Sequence, residues 1–128
     1  WGQKYSELNS GKIDCVWNGF TRNSADEVNG QVFDREDLVD FSYSYMLNQQ
    51  CIVVKKDNLA NFTSEESLKG LKACVEGGSA GAKVAMSDTS VASGVKEVTA
   101  QTDALLEVLS GASEVAIVDM LLAKALIK

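Results

Sequence analysis

After residue 50 the chain alternates short apolar segments with segments of helical spacing, and this rhythm limits the fold more than any other feature. The apolar segments are rich in β-branched residues and short enough to be strands. The predicted strands are Cys51–Lys55, Lys72–Glu76, Val95–Val98 and Glu114–Asp119, and the predicted helices are Ala82–Met86, Thr102–Leu109 and Met120–Ile127, with a capped helical turn at Ser64–Gly70. Strands that alternate with helices predict an α/β fold, with a parallel, doubly wound sheet and helices on both faces.

The first part of the chain is predicted to supply one more such unit. Lys4–Leu8 has helical spacing, and Ile13–Trp17 is an apolar run that predicts a buried strand. A long polar and acidic insertion near residues 23–33 follows this strand. It separates the end of the strand from Arg35, which leads toward the alternating part of the chain.

Composition and charge exclude several classes of protein. A chain of 128 residues with 45% hydrophobic residues can bury one ordinary core or two half-sized ones. A net charge of −6 argues against a nucleic-acid partner, which needs a clustered positive face, and no apolar run is long enough for a membrane span. The chain has no His, and Cys15, Cys51 and Cys74 lie in separate apolar runs, so we predict three buried free thiols and neither a metal site nor a cofactor.

Polar groups follow three of the predicted strands, at the edge of the sheet where ligands of α/β proteins bind. Asn18, Gly19 and Thr21 come after the first strand, the Gly77–Gly81 loop follows a later strand, and Asp119 ends the last one. A carboxylate prefers N–H groups at a helix N-terminus and a bidentate Arg, whereas an ammonium prefers a carboxylate and carbonyl groups. The loop offers the first set and Asp119 the second, so the pattern predicts a site for an amino acid.

Each of these residues also has an ordinary structural explanation. The Gly77–Gly81 loop can be a strand-to-helix turn in which Ser79 caps the helix, and Asp119 can be the cap of the last helix. Arg35 lies among acidic neighbours and can be a solvated surface charge. Taken singly, none of these positions identifies a function.

The order and spacing of the segments resemble the substrate-binding proteins of bacterial polar amino acid ABC transporters, which are extracellular solute-binding proteins of family 3 with the type 2 periplasmic-binding-protein fold. The matching segments are Leu8–Asp14, Asn18–Thr21, Asp40–Ser42, Gln50–Lys56, Leu68–Lys72, Gly77–Gly81, Asp103–Leu109 and Val115–Lys128. The resemblance implies that residues 1–47 are a remnant of lobe one and that residues 48–128 are most of lobe two, so that the chain is truncated at both ends relative to the family. It also implies a periplasmic or membrane-anchored extracellular location for the parent family.

The resemblance assigns roles to individual residues of the first lobe. Asn18 and Gly19 lie in the ligand-binding turn, where the Gly19 carbonyl accepts a hydrogen bond from the ligand ammonium. Thr21 supports the ligand through its hydroxyl and amide, and Arg35 pairs with the ligand carboxylate. Because the insertion separates Thr21 from Arg35, Arg22 is the rival candidate for that role.

In the second lobe the resemblance implies that Gly78 and Ser79 hold the same carboxylate and that Asp119 binds the ammonium. The implied function is a non-enzymatic binding module that delivers a polar amino acid to an ABC transporter permease. The alternatives are a derivative that keeps the scaffold without binding a ligand, and a dehydratase-like enzyme for which Glu76 is the one further carboxylate near the cleft. A truncated first lobe would leave apolar surface around Trp1 uncovered, so we also predict a homo-oligomer, with exchange of elements between copies as one arrangement.

Overall fold

The computed structural model describes residues 1–87 and 94–127, so residues 88–93 and Lys128 lie outside the description. The chain divides into two compact units, residues 1–48 and residues 49–128. Within the described residues, no helix is both long enough and apolar enough to cross a bilayer.

The first unit contains two short helices and a β-hairpin. Its elements are α1 (Lys4–Asn9), β1 (Ala25–Val28), β2 (Gln31–Asp34) and α2 (Arg35–Leu38). The two strands are antiparallel, and the residues between them, Asn29 and Gly30, have φ angles of 53° and 79°. Positive φ at both central residues is the geometry of a type I′ turn, which suits the twist of a tight hairpin. The polar insertion near residues 23–33 is therefore a folded hairpin.

The predicted buried strand at Ile13–Trp17 is wrong. These residues have no regular secondary structure, and the Trp17 side chain is 85% exposed. In the described part of this unit the only strand pairing is the one inside the hairpin, so Ile13–Trp17 has no strand to pair with. Cys15 is exposed for the same reason, which corrects the prediction that all three thiols are buried. Cys74 is buried in the second unit, where burial raises the pKa of its thiol.

The second unit is built on a four-stranded sheet. Its strands are β3 (Gln50–Val54), β4 (Ala73–Glu76), β5 (Val95–Val98) and β6 (Val115–Asp119), in the order β3-β6-β4-β5. The pairs β4–β5 and β4–β6 are parallel, as predicted, whereas β3 is antiparallel to β6. Gln50 lies opposite Asp119, so β3 starts at the edge of the sheet where β6 ends.

Helices cover both faces of this sheet, as the alternating pattern predicted. They are α3 (Ala80–Ser87), α4 (Gln101–Ser110) and α5 (Met120–Leu126), and short 3-10 turns occupy Lys56–Asn61 and Glu65–Leu68. Successive residues of a strand point to opposite faces. One core cluster therefore joins Val75 and Ile117 to α3, and the other joins Cys74 and Val118 to α4 and α5. The central strands β4 and β6 are buried on both faces, so their last residues are placed at a rigid edge of the sheet.

Candidate functional site

Four polar side chains gather at the edge of the sheet where β4 and β6 end. Glu76 is the last residue of β4, Asp119 is the last residue of β6, and Gln50 is the first residue of the antiparallel β3. Gln101 begins α4 and reaches the same place. Glu76, Gln101 and Asp119 are each less than 10% exposed, at 8%, 9% and 7%. We call these four residues the Asp119 cluster.

Asp119 is held by the two glutamines. Gln50 Nε2 donates a hydrogen bond to Asp119 Oδ1 at 2.7 Å, and Gln101 Nε2 donates to Oδ2 at 2.8 Å. The Asp119 backbone N–H in turn donates to Gln101 Oε1 at 2.7 Å. The Asp119 side chain does not cap α5, although the residue occupies the N-cap position. Capping of the last helix is therefore not the role of this carboxylate.

Within residues 1–87 and 94–127, the side-chain donors to the Asp119 carboxylate are two neutral amides. Among the described residues no Lys or Arg forms an ion pair with it. A buried carboxylate is costly unless hydrogen bonds and a positive charge compensate the loss of hydration. Two amides supply hydrogen bonds but no charge, so this position is chemically suited to an ammonium or guanidinium group.

The second part of the site is the beginning of α3, directly after β4. Gly78 turns the chain with a φ of 68°, and Ser79 Oγ accepts a hydrogen bond from the Ala82 N–H at 3.0 Å. Ser79 is therefore the N-cap of α3, which is the ordinary structural role that the sequence allows for this residue. The N–H groups of Ala80 and Gly81 donate to no acceptor among the described residues. Unpaired N–H groups and the helix dipole favour an anion at this helix end.

Gly81, in the first turn of α3, leaves room for the Gln50 side chain. A Cβ atom built on Gly81 would lie 2.8 Å from Gln50 Oε1 and 2.8 Å from the Ile117 carbonyl oxygen. Any side chain at this position would force Gln50 or β6 to move. The Gln50 side chain therefore lies close to Gly81, and its Nε2 donates to the Asp119 carboxylate.

Arg35 is engaged inside the first unit. Its side chain is 1% exposed, and Nε and Nη2 donate to the two Asp26 carboxylate oxygens at 3.2 and 3.0 Å. Nη1 donates to the Thr21 carbonyl at 3.0 Å, and the guanidinium lies 4.6 Å from the centre of the Phe20 ring. Arg35 is thus a buried, paired charge and not a solvated surface charge.

Asp26 collects further partners besides Arg35. Lys4 Nζ lies 3.0 Å from Asp26 Oδ2, and the Tyr5 hydroxyl donates to the same oxygen at 2.7 Å. Burial and this hydrogen bond raise the pKa of the Tyr5 hydroxyl. Sequence reasoning missed Asp26 because it lies in the insertion. The Asn29-Gly30 pair was the signal that could have revealed the hairpin that carries Asp26.

The remaining predicted residues of the first unit lie around an open groove. Asn18, Gly19, Thr21 and Arg22 line this groove, whereas Arg35 does not. Asn18 Oδ1 accepts a hydrogen bond from the Gly19 N–H at 2.7 Å, and the Asn18 carbonyl accepts one from the Tyr45 hydroxyl at 3.3 Å. The structure therefore brings Thr21 together with Arg35 through a backbone contact, and Asn18 together with Gly19.

Arg22, the rival to Arg35, lies on the surface. Its guanidinium forms an ion pair with Glu36, and the two side chains are 59% and 49% exposed. In the described part of the chain, no group of three His, Cys, Asp or Glu side chains is arranged to hold a metal ion.

Gln50 and Gln101 are the candidate site residues that sequence reasoning missed, because a single amide side chain carries no local signal of function.

A mixed sheet with helices on both faces and polar groups at its strand ends is the architecture of periplasmic binding proteins, and solved structures of that fold match the chain. An ancestral arginine-binding protein bound to arginine is 33% identical, with a TM-score of 0.74, and the match covers 96% of this chain and 50% of that one. An ancestral amino acid-binding protein, a precursor of cyclohexadienyl dehydratase, is 28% identical, with a TM-score of 0.76 and coverage of 94% and 50%. A substrate-binding protein of an ABC uptake transporter from Streptococcus pneumoniae, with bound histidine, is 24% identical with a TM-score of 0.77 and coverage of 97% and 48%, a likeness that shows the fold alone.

The chain spans about half the length of these solved structures. No protein-family model matches the chain, and neither does any curated protein. The matches confirm the predicted α/β fold of periplasmic binding proteins. They also confirm the predicted resemblance to the amino acid-binding proteins of ABC uptake systems.

Proposed function

We propose that the chain is a non-enzymatic binding module for a polar amino acid. The observation that carries this proposal is the Asp119 carboxylate, which is 7% exposed, bound by two neutral amides and not paired with a described cation. A ligand ammonium placed there would supply the missing positive charge and donate hydrogen bonds to the lone pairs that the two amides leave free. Similarity to an arginine-binding protein and to another amino acid-binding protein supports the same ligand class.

The ligand carboxylate is assigned to the start of α3. Gly78 turns the chain with a positive φ. The N–H groups of Ala80 and Gly81 then supply donors at the positive end of the helix dipole. The Ser79 hydroxyl accepts the capping bond and retains its own proton to donate. Because the Gln50 side chain lies close to Gly81 and binds Asp119, we assign both parts of this half-site to one zwitterion.

In the first unit, Asn18, Gly19, Thr21 and Arg35 remain the predicted ligand contacts. Two Arg35 nitrogens are bound by Asp26 and a third by the Thr21 carbonyl. A guanidinium has five N–H donors, so two donors remain for a ligand carboxylate after these contacts. Arg22 is the alternative, since its pair with Glu36 is exposed and contributes little stability.

Isothermal titration calorimetry against arginine, glutamine, histidine and the other common amino acids tests the binding function. We expect micromolar affinity for at least one of them, because an oriented carboxylate and a helix N-terminus together recognise both charges of the ligand. Deaminated and decarboxylated analogues of the best ligand serve as controls and should bind much more weakly. A folded protein that releases no heat with any amino acid would instead favour the scaffold that has lost binding.

The non-enzymatic part of the proposal rests on the residues available for proton transfer. The chain contains no His, and the Asp119 cluster supplies the two carboxylates of Glu76 and Asp119. A dehydratase needs a general acid or base aimed at its substrate. Dehydratase activity is the second candidate function, because the chain is similar to a precursor of cyclohexadienyl dehydratase. Formation of a dehydrated product from a cyclic hydroxy acid, followed by ultraviolet absorbance, would favour it.

We further propose that a transporter permease receives the bound amino acid from this chain. We also propose that copies of the chain associate with each other. Large apolar side chains of the first unit are exposed, and the largest exposed fractions are those of Trp17, Tyr43 and Leu47, at 85%, 98% and 92%. Exposed apolar groups of this size favour coverage by another chain. Small-angle scattering in solution should give the mass of a dimer or larger oligomer. A monodisperse monomer at high concentration would contradict self-association.

A further inference from the structure

We propose that Gln101 is the positioning residue for the Asp119 carboxylate, and that it sets the affinity for a ligand ammonium without touching the ligand. The inference rests on the proposed binding function, in which Asp119 receives that ammonium. No feature of the sequence near Gln101 marks it as functional. Its role follows from three contacts that come together only in the folded second unit.

Gln101 and Asp119 form a reciprocal pair of hydrogen bonds. Gln101 Oε1 accepts from the Asp119 N–H at 2.7 Å, and Gln101 Nε2 donates to Asp119 Oδ2 at 2.8 Å. The backbone N–H can only donate, so the oxygen of the Gln101 amide has to face it and the NH₂ group has to face the carboxylate. Two simultaneous bonds fix the orientation of the amide and, through it, the rotation of the Asp119 side chain.

Gln101 is buried although it lies at the start of a helix. It is the first residue of α4, and the Ala100 N-cap before it has no side chain that could cap the helix. A glutamine at a helix start is normally solvated, yet Gln101 is 9% exposed and reaches the ends of two strands. Its Nε2 also lies 3.5 Å from Glu76 Oε2, so one amide faces the carboxylates that end β4 and β6.

The two glutamines bind different oxygens of the Asp119 carboxylate. Gln101 binds Oδ2 and Gln50 binds Oδ1, so each oxygen keeps a further lone pair for the ligand. Both donors are neutral amides, so they do not offset the negative charge of Asp119, whereas a Lys in the same place would. Loss of the Gln101 donor should leave the Asp119 side chain able to rotate, and ligand binding would then have to order it.

The test compares Gln101→Leu with Gln31→Leu, which replaces an exposed glutamine of the hairpin and serves as the matched control. Titration with L-arginine should show a 10- to 100-fold weaker affinity for Gln101→Leu, the range expected for hydrogen bonds to charged groups, and no change for Gln31→Leu. Thermal unfolding of both variants establishes that they are folded. A Gln101→Leu variant that is folded and binds L-arginine as tightly as the wild type would overturn the proposal.

A ligand-free measurement separates this inference from the binding function. Amide hydrogen exchange followed by NMR should be at least about tenfold faster for the Asp119 N–H in Gln101→Leu, because that N–H loses its acceptor, while the Ile117 N–H in the same strand keeps its protection. If wild-type protein binds no amino acid, the binding function fails and the exchange result still decides the geometry. Equal exchange of the Asp119 N–H in both proteins would overturn the positioning role.

Discussion

Replacement of Asp119 by Ala is expected to abolish the proposed binding of an amino acid. The carboxylate is buried at the end of β6, and no described cation compensates its charge. Removal of one partner of a buried charge pair costs about 2–5 kcal/mol of binding free energy, which weakens affinity by roughly 30-fold to several thousand-fold. Calorimetry with the amino acid that binds the wild type best is the measurement.

Asp103→Ala is the matched control for this experiment. Asp103 lies in the first turn of α4 in the same unit, but its side chain is exposed. The control should retain wild-type affinity, with at most a small loss of helix stability. If Asp119→Ala is folded and binds as the wild type does, the ammonium of the ligand is held elsewhere and the assigned role of Asp119 is wrong.

Asp26→Asn should give the largest loss of stability in the first unit. The change leaves Arg35, which is 1% exposed, and the buried Lys4 without the carboxylate that both contact. Breaking a buried ion pair on one side typically costs about 3–5 kcal/mol of the free energy of unfolding. The chain has two tryptophans, Trp1 and Trp17, and both lie in this unit. Urea unfolding followed by tryptophan fluorescence therefore reports on the first unit.

Glu36→Gln provides the comparison for the Asp26 variant. It removes the ion pair between Arg22 and Glu36, whose side chains are 59% and 49% exposed. Surface pairs contribute about 0–1 kcal/mol, so the unfolding midpoint should hardly change. If Asp26→Asn is no less stable than Glu36→Gln, then Arg35 does not depend on Asp26.

Much of the second unit could be predicted from the sequence because its signals are local. The segments around Val75 and Ile117 are short apolar runs, and a strand buried on both faces leaves this pattern wherever it occurs. The start of α3 follows from Gly78 and Ser79, since a glycine turn and a capping hydroxyl act on the nearest backbone. The direction of β3 was missed, because antiparallel pairing with β6 depends on residues far apart in the chain.

The first unit was predicted less well because its structure depends on partners that lie far from each segment. Ile13–Trp17 has the apolar composition of a strand, but a strand also needs a neighbour with which to pair its backbone. The hairpin pairs with itself and brings Asp26 to Arg35. The sequence showed a lone Arg among acids, and only the folded hairpin decides which acid it meets.

The sequence by itself determined the alternation of elements and the resemblance to amino acid-binding proteins, and it predicts Ser79 and Asp119 as the positions for a zwitterion. These follow from residue type and spacing along the chain, which act over a few residues. Only the tertiary structure decided that Gln50 and Gln101 hold the Asp119 carboxylate and that Asp26 holds Arg35. Hydrogen bonds and ion pairs act over about 3 Å in space, so partners far apart in the chain become visible only when folding brings them together.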